Sequence, residues 1–223
     1  MSLLSELAPG LWQLSEARQG IPPTSTGYVL RDGEDTILID PLPQAGREER
    51  YAGDLAELDR IVSGRVRILI TIPFHVRGAE AFWRRWRERH DVTIYGHEHC
   101  ATRLSDRSMF HPLVGGETLA GGVRAHQIGK PVRAEIPFEL PSHRALAFGD
   151  TVLGIHGELR VWAELGSEKR EAWYREKLLP TLEPLTRLGA DRLLVTHGSP
   201  VLRDGSRELR ATLARSPWRR SDG

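Results

Sequence analysis

The chain runs one pattern twice. In its first half "YVLRDGEDTILID" sets two apolar runs about an Asp-Gly turn and ends on Asp40. The strand "RVRILIT" follows, ending on Thr71 with His75 just beyond. In its second half "FELPSHRALAFGD" again gives two extended runs about a turn and ends on Asp150. "DRLLVT" then ends on Thr196, with His197 next to it. A sheet that is apolar on one face must bury that face against another layer, so two such halves predict two similar sheet-plus-helix layers packed face to face. The expected fold class is α/β, a four-layer αββα sandwich, with residues 1–223 forming a single domain. Asp40, His75, Asp150 and His197 all fall at strand ends, from which side chains can converge.

The helices of these layers are legible from periodicity. "REERYAGDLAELDRIV" places Leu55, Leu58, Ile61 and Val62 on one face. After "IPFHVRG", Ala79, Phe82, Trp83 and Trp86 recur at helical spacing. "EAWYREKLLPTLEPLTRL" and "SRELRATLARS" read as further helices, and "GLWQL" and "DVTIYGH" as strands. With 31 Lys and Arg against 30 Asp and Glu, and no basic stripe in either half, a nucleic-acid partner is not expected. No apolar run approaches the roughly 18 residues that span a bilayer. The start "MSLLSELAPGLWQL" has neither the basic opening nor the apolar stretch of a signal peptide. The single cysteine, Cys100, allows no internal disulfide. The expectation is a cytoplasmic protein with a small-molecule ligand or substrate, no nucleic-acid or membrane partner, and self-association left open.

The segments "ILIDP", "ILIT…HVRGAEAF", "IYGHEH", "LPSHRALAFGDTV" and "LLVTHGSP", in this order over about residues 11–202, resemble the metallo-β-lactamase-fold hydrolases. That resemblance implies the αββα fold and an ancestral metal-assisted hydrolysis of ester-like or amide-like bonds. The family's metal loop reads Thr-His-x-His-x-Asp-His, followed later by a Gly-His, a Gly-Asp and a final Gly-His-Gly or Thr-His-Gly. Here His75 matches the last histidine of the loop, and Phe74 stands where its aspartate belongs. The two earlier loop histidines are missing, and the later Gly-His has become Gly129-Lys130. Asp150 and His197 match the family's bridging aspartate and final histidine. Asp40 matches the aspartate that stands behind the ligands.

Three readings of these residues stay open. His75, Asp150 and His197 can hold a single divalent ion, whether zinc, iron or manganese. Alternatively no metal binds, and Lys130 pairs with Asp150 to replace the lost cation, since a buried carboxylate left unpaired is costly. In the third reading the Asp and His residues only satisfy backbone groups at strand ends. The expected function is a non-hydrolytic small-molecule or partner-binding relative, with Asp150 and Lys130 as the chemical groups of its pocket. The alternative is a single-metal hydrolase of ester-, thioester- or lactone-like substrates. His97 and His99 are read as exposed, His126 as a strand residue, and Cys100 as no nucleophile.

Overall fold

The computed structural model describes residues 2–17, 24–130, 134–163 and 165–219, and their contacts fall into two compact units. The first unit is a seven-stranded sheet in chain order: β1 (Leu4–Ala8), β2 (Leu11–Ala17), β3 (Thr24–Asp32), β4 (Asp35–Ile39), β5 (Val66–Ile70), β6 (Val92–His97) and β7 (Phe110–Leu113). The first three pairings are antiparallel and the last three parallel. The Asp-Gly signal closes the β3–β4 hairpin: Asp32 pairs with Asp35, and Gly33 takes the left-handed φ of 65° that the turn demands. Helix α1 (Ala52–Ile61) connects β4 to β5, and α2 (Ala79–Trp86) connects β5 to β6. Parallel neighbours need such crossovers, and every residue of β5 is buried, as suits a strand inside a parallel sheet.

The apolar faces read from the sequence are those that pack. Leu55 and Leu58 of α1 and Ala79, Phe82 and Trp86 of α2 join one core cluster with Val66, Ile68 and Ile70 of β5. Trp83 sits at its edge, half-buried, with the Arg87 guanidinium 4.5 Å from its ring centre. Asp59 ties the two helices together. Its carboxylate accepts from Arg85 Nε at 2.7 Å, from Arg85 Nη2 at 2.6 Å and from the Trp86 indole at 2.8 Å.

The second unit holds a four-stranded sheet in the order β13-β10-β9-β8 and a separate hairpin, β11–β12. Its strands are β8 (Arg124–Ala125), β9 (Phe138–Leu140), β10 (Ala145–Phe148), β11 (Val152–Ile155), β12 (Glu158–Val161) and β13 (Arg192–Val195). The β10–β13 pair is parallel; the other pairs are antiparallel. The expected long helix is interrupted. α3 (Glu168–Trp173) passes through a π turn, Tyr174–Leu178, into α4 (Leu179–Leu182), because Pro180 has no N–H for the regular ladder and its ring crowds the preceding turn. The final helix, α5 (Gly205–Ala214), packs Leu209 into the second core. No helix among the described residues is long and apolar enough to cross a membrane.

The Asp59 tie yields a prediction with a pH sign. Burial raises the Asp59 pKa, but the Arg85 and Trp86 hydrogen bonds and the nearby arginine charges outweigh it. They hold the carboxyl below its ordinary value. Its contribution is therefore present above the ordinary carboxylate pKa and is lost as pH falls through the lower folded value. In urea unfolding at neutral pH, Asp59→Ala is expected to be less stable than wild type by about 1–2 kcal/mol. The gap should narrow in acid as wild-type Asp59 becomes protonated.

Candidate functional site

In the first unit β4, β5 and β6 are parallel neighbours, so their carboxyl ends lie side by side and the loops beyond them share one edge of the sheet. Asp40 follows β4 and is fully buried, with a left-handed φ of 45° that aspartate tolerates. The chain bends tightly there. A Cβ on Gly27 of the adjacent strand would lie 2.5 Å from the Asp40 carbonyl oxygen, so only glycine fits. Asp40 Oδ1 accepts from the Thr71 amide at 2.8 Å, and Oδ2 accepts from the Thr71 hydroxyl. His75 Nδ1 lies 2.9 Å from Oδ2.

His75 is 3% exposed and closes a short 3-10 turn, Pro73–His75, that begins at the proline. An N–H on Nδ1 can donate to that oxygen, and the ring then turns its Nε2 away from Asp40. A carboxylate behind a histidine in this way fixes the ring and strengthens its other nitrogen as a ligand or base. Phe74 points outward, 68% exposed, and Arg103 lies over its ring, 4.2 Å from the centre.

The second unit repeats the plan. Asp150 follows β10 and His197 follows β13. The parallel register, with Phe148 opposite Val195, sets the two strand ends together. His197 is 5% exposed, and its Nε2 stands 3.3 Å from Asp150 Oδ1. The two loops are stitched to one another. Thr196 Oγ1 donates to the Gly149 carbonyl at 3.0 Å, and the Gly154 amide donates to the His197 carbonyl at 2.8 Å. Gly198, with φ 83°, packs against Gly154 so closely that a Cβ would come within 2.4 Å of the Gly154 Cα. The glycine in "THGS" thus serves a close backbone approach.

The expected Lys130–Asp150 pair does not form. Lys130 is exposed, the preceding Gly129 amide is tied to the Thr181 hydroxyl at 3.0 Å, and His197 stands beside Asp150. Gly129 turns the chain there with φ 57°. His126 is outside the strands; its Nε2 meets Glu139 at 3.0 Å, beside Arg124. His97 and His99 stack edge-on at 4.6 Å, and the His97 ring accepts from the His99 amide.

Two features carry no signal in the sequence. Glu135, 2% exposed, hydrogen-bonds the backbone on either side of Asp150. Phe74 turns outward although apolar, because the short Pro73 turn commits the next position, His75, to the interior.

No protein-family model and no curated protein matches this sequence. Solved structures match over nearly its full length. The DIM-1 metallo-β-lactamase aligns with a TM-score of 0.63 at 15% identity, covering 95% of this chain and 94% of that one. A metallo-β-lactamase from Pontibacter korlensis gives a TM-score of 0.63 at 17% identity, covering 95% and 96%. A fragment of diflavin flavoprotein A 5 from Nostoc sp. PCC 7120 gives 0.64 at 19%, covering 95% and 93%. At such identities the likeness is one of fold.

Cys100 lies in the core near this edge. Burial first, and the Asp40 charge second, push its thiol up to about 12. Against a free thiol near 9.0, that value leaves a thiolate fraction lower by about a thousandfold at mildly alkaline pH. In the native protein Cys100 should therefore react with an aromatic disulfide reagent only at the rate of unfolding, and at once in denaturant. Fast native labelling would contradict the burial assigned to it.

Proposed function

The chain has the metallo-β-lactamase fold, and from that premise we propose that it binds one divalent ion through His75, Asp150 and His197 and hydrolyses a small ester-, thioester- or lactone-like substrate. The observation that carries the reading is the support behind each donor. Asp40 holds His75 by its Nδ1, while Asp150 and His197 present their atoms 3.3 Å apart. Two atoms each about 2.0–2.1 Å from one tetrahedral ion stand roughly 3.3–3.4 Å from each other, so the donor pair in the second unit fits such an ion. Two imidazoles and a carboxylate suit zinc, iron or manganese and leave positions open for water and substrate.

Bound by these groups, a divalent ion would act as a Lewis acid toward a substrate carbonyl and would acidify water at neutral pH. The protein's own residues do the rest. Asp40 and Thr71 fix the His75 ring and its tautomer. Thr196 and the Gly154 amide hold the Asp150 and His197 loops in register. With Phe74 in place of an acidic residue, His75 has an apolar neighbour in the loop, and a two-metal mechanism is not part of the proposal.

The exposed Phe74 ring under Arg103 favours a second reading, ligand binding without turnover, in which an apolar anionic molecule is held at this lip. Metal analysis and a hydrolase screen separate the two. Protein purified without chelators is expected to carry close to one equivalent of zinc, iron or manganese, and His197→Ala close to none. Asp40→Asn should keep the fold and weaken metal binding roughly 10–100-fold. Esters, thioesters and lactones tested with the metal-loaded protein should include a substrate whose turnover disappears in Asp150→Ala. Equal and near-zero metal in wild type and His197→Ala would remove the metal reading. Full metal loading with no turnover would leave the binding role.

A further inference from the structure

Glu135 precedes β9 and lies almost completely out of water, yet nothing about a sheet edge requires a carboxylate there. Three donors of one loop meet its two oxygens. Oε1 accepts from the Gly149 amide at 3.0 Å, and Oε2 accepts from the Thr151 amide at 2.9 Å and the Thr151 hydroxyl at 2.7 Å. Those amides flank Asp150 on both sides. One buried carboxylate thus fixes the two peptides that set where the Asp150 side chain starts.

Gly149 is held through its carbonyl too, which accepts from the Thr196 hydroxyl, one residue before His197. The chain Glu135, Gly149, Thr196 therefore links the placement of Asp150 to that of His197. Hydrogen bonds to an ionised acceptor are about twice as strong as neutral ones, so the charge stiffens the loop beyond what serine or asparagine would do. Burying that charge is expensive, and these donors help to offset the cost.

We propose that Glu135 is a positioning residue: it acts through Asp150, holding that carboxylate at the spacing from His197 that a single metal ion takes. The inference rests on the metal reading above. It gives the second unit the counterpart of Asp40 in the first. Asp40 grips a histidine ligand by its ring, and Glu135 grips an aspartate ligand by its backbone.

The test is the affinity of the full chain for zinc, measured by competition with a chromophoric chelator. Glu135→Gln keeps the size but offers one acceptor where two are used, and affinity is expected to fall at least about tenfold, in the range seen when the groups behind a ligand are removed. Asp59→Ala serves as the control: it destabilises the α1–α2 tie and should leave zinc affinity unchanged. In an Asp150→Asn background, Glu135→Gln should cause no further loss. Zinc affinity of Glu135→Gln within about twofold of wild type, whatever its stability, overturns the proposal, as does a full additional loss in the Asp150→Asn background. Should Glu135→Gln fail to fold, Thr151→Val removes only the hydroxyl bond and is expected to weaken zinc by a few-fold; unchanged affinity there overturns the proposal. Should wild type bind no zinc, iron or manganese, the metal reading fails by itself. Hydrogen exchange at the Gly149 and Thr151 amides then decides the clamp: protection lost in Glu135→Gln supports it, and equal protection in both proteins rejects it.

Discussion

A carboxylate taken out of water must be met by donors, and in each unit such a group fixes the loop beyond a pair of parallel strands. Leaving one unmet would cost several kcal/mol, a large share of the stability of any domain. Asp40 is fully buried and reaches the Thr71 amide, the Thr71 hydroxyl and the His75 ring. Glu135 is nearly as buried and reaches the Gly149 amide and both donors of Thr151. Removing either acid strands those donors and frees the loop. The chemistry of the strand ends depends on these two acids before it depends on any ligand.

The two units solve one problem with the roles exchanged. Both set an aspartate after one strand and a threonine after its parallel neighbour, but the register differs. Carried on from Ile39 and Leu69, Thr71 falls one place beyond the aspartate; carried on from Phe148 and Val195, Thr196 falls one place before it. In the first unit the aspartate is consumed in support: it is turned inward by its left-handed backbone and spends its oxygens on Thr71 and His75. In the second, the aspartate faces His197, and the supporting work passes to an acid from another segment. Thr71 uses its hydroxyl on a carboxylate, whereas Thr196 uses its own on a backbone carbonyl. A repeated pattern thus yields one unit whose acid supports and one whose acid is presented.

How far this was readable follows from range. The hairpin of β3 and β4, the faces of α1 and α2, and Asp40, His75, Asp150 and His197 at strand ends all depend on spacing within a few residues, and the sequence displays that spacing. Strands β1, β7 and β8 and the hairpin β11–β12 were not readable, being short or lacking an alternating pattern of their own. Glu135 has no local signature, because its partners lie 14 and 16 residues away and are mostly backbone amides that any sequence would supply. The pairing of Lys130 with Asp150 was inferred from the lysine's place in the family pattern and from its charge. Neither fixes direction: Gly129 turns with φ 57° and is tied to Thr181, and Lys130 is exposed.

Phe74 shows what such a local constraint does to a site. The 3-10 turn of Pro73–His75 allows one side chain to point at Asp40, and His75 takes it. Its neighbour must then face outward, and here that neighbour is an aromatic ring instead of a group that could bind a cation. The ring is not left bare, since the Arg103 guanidinium covers it at cation–π distance. The loop beside His75 therefore presents an apolar surface edged with positive charge. One three-residue turn thus decides both which side chain the buried acid holds and which one the loop shows to solvent.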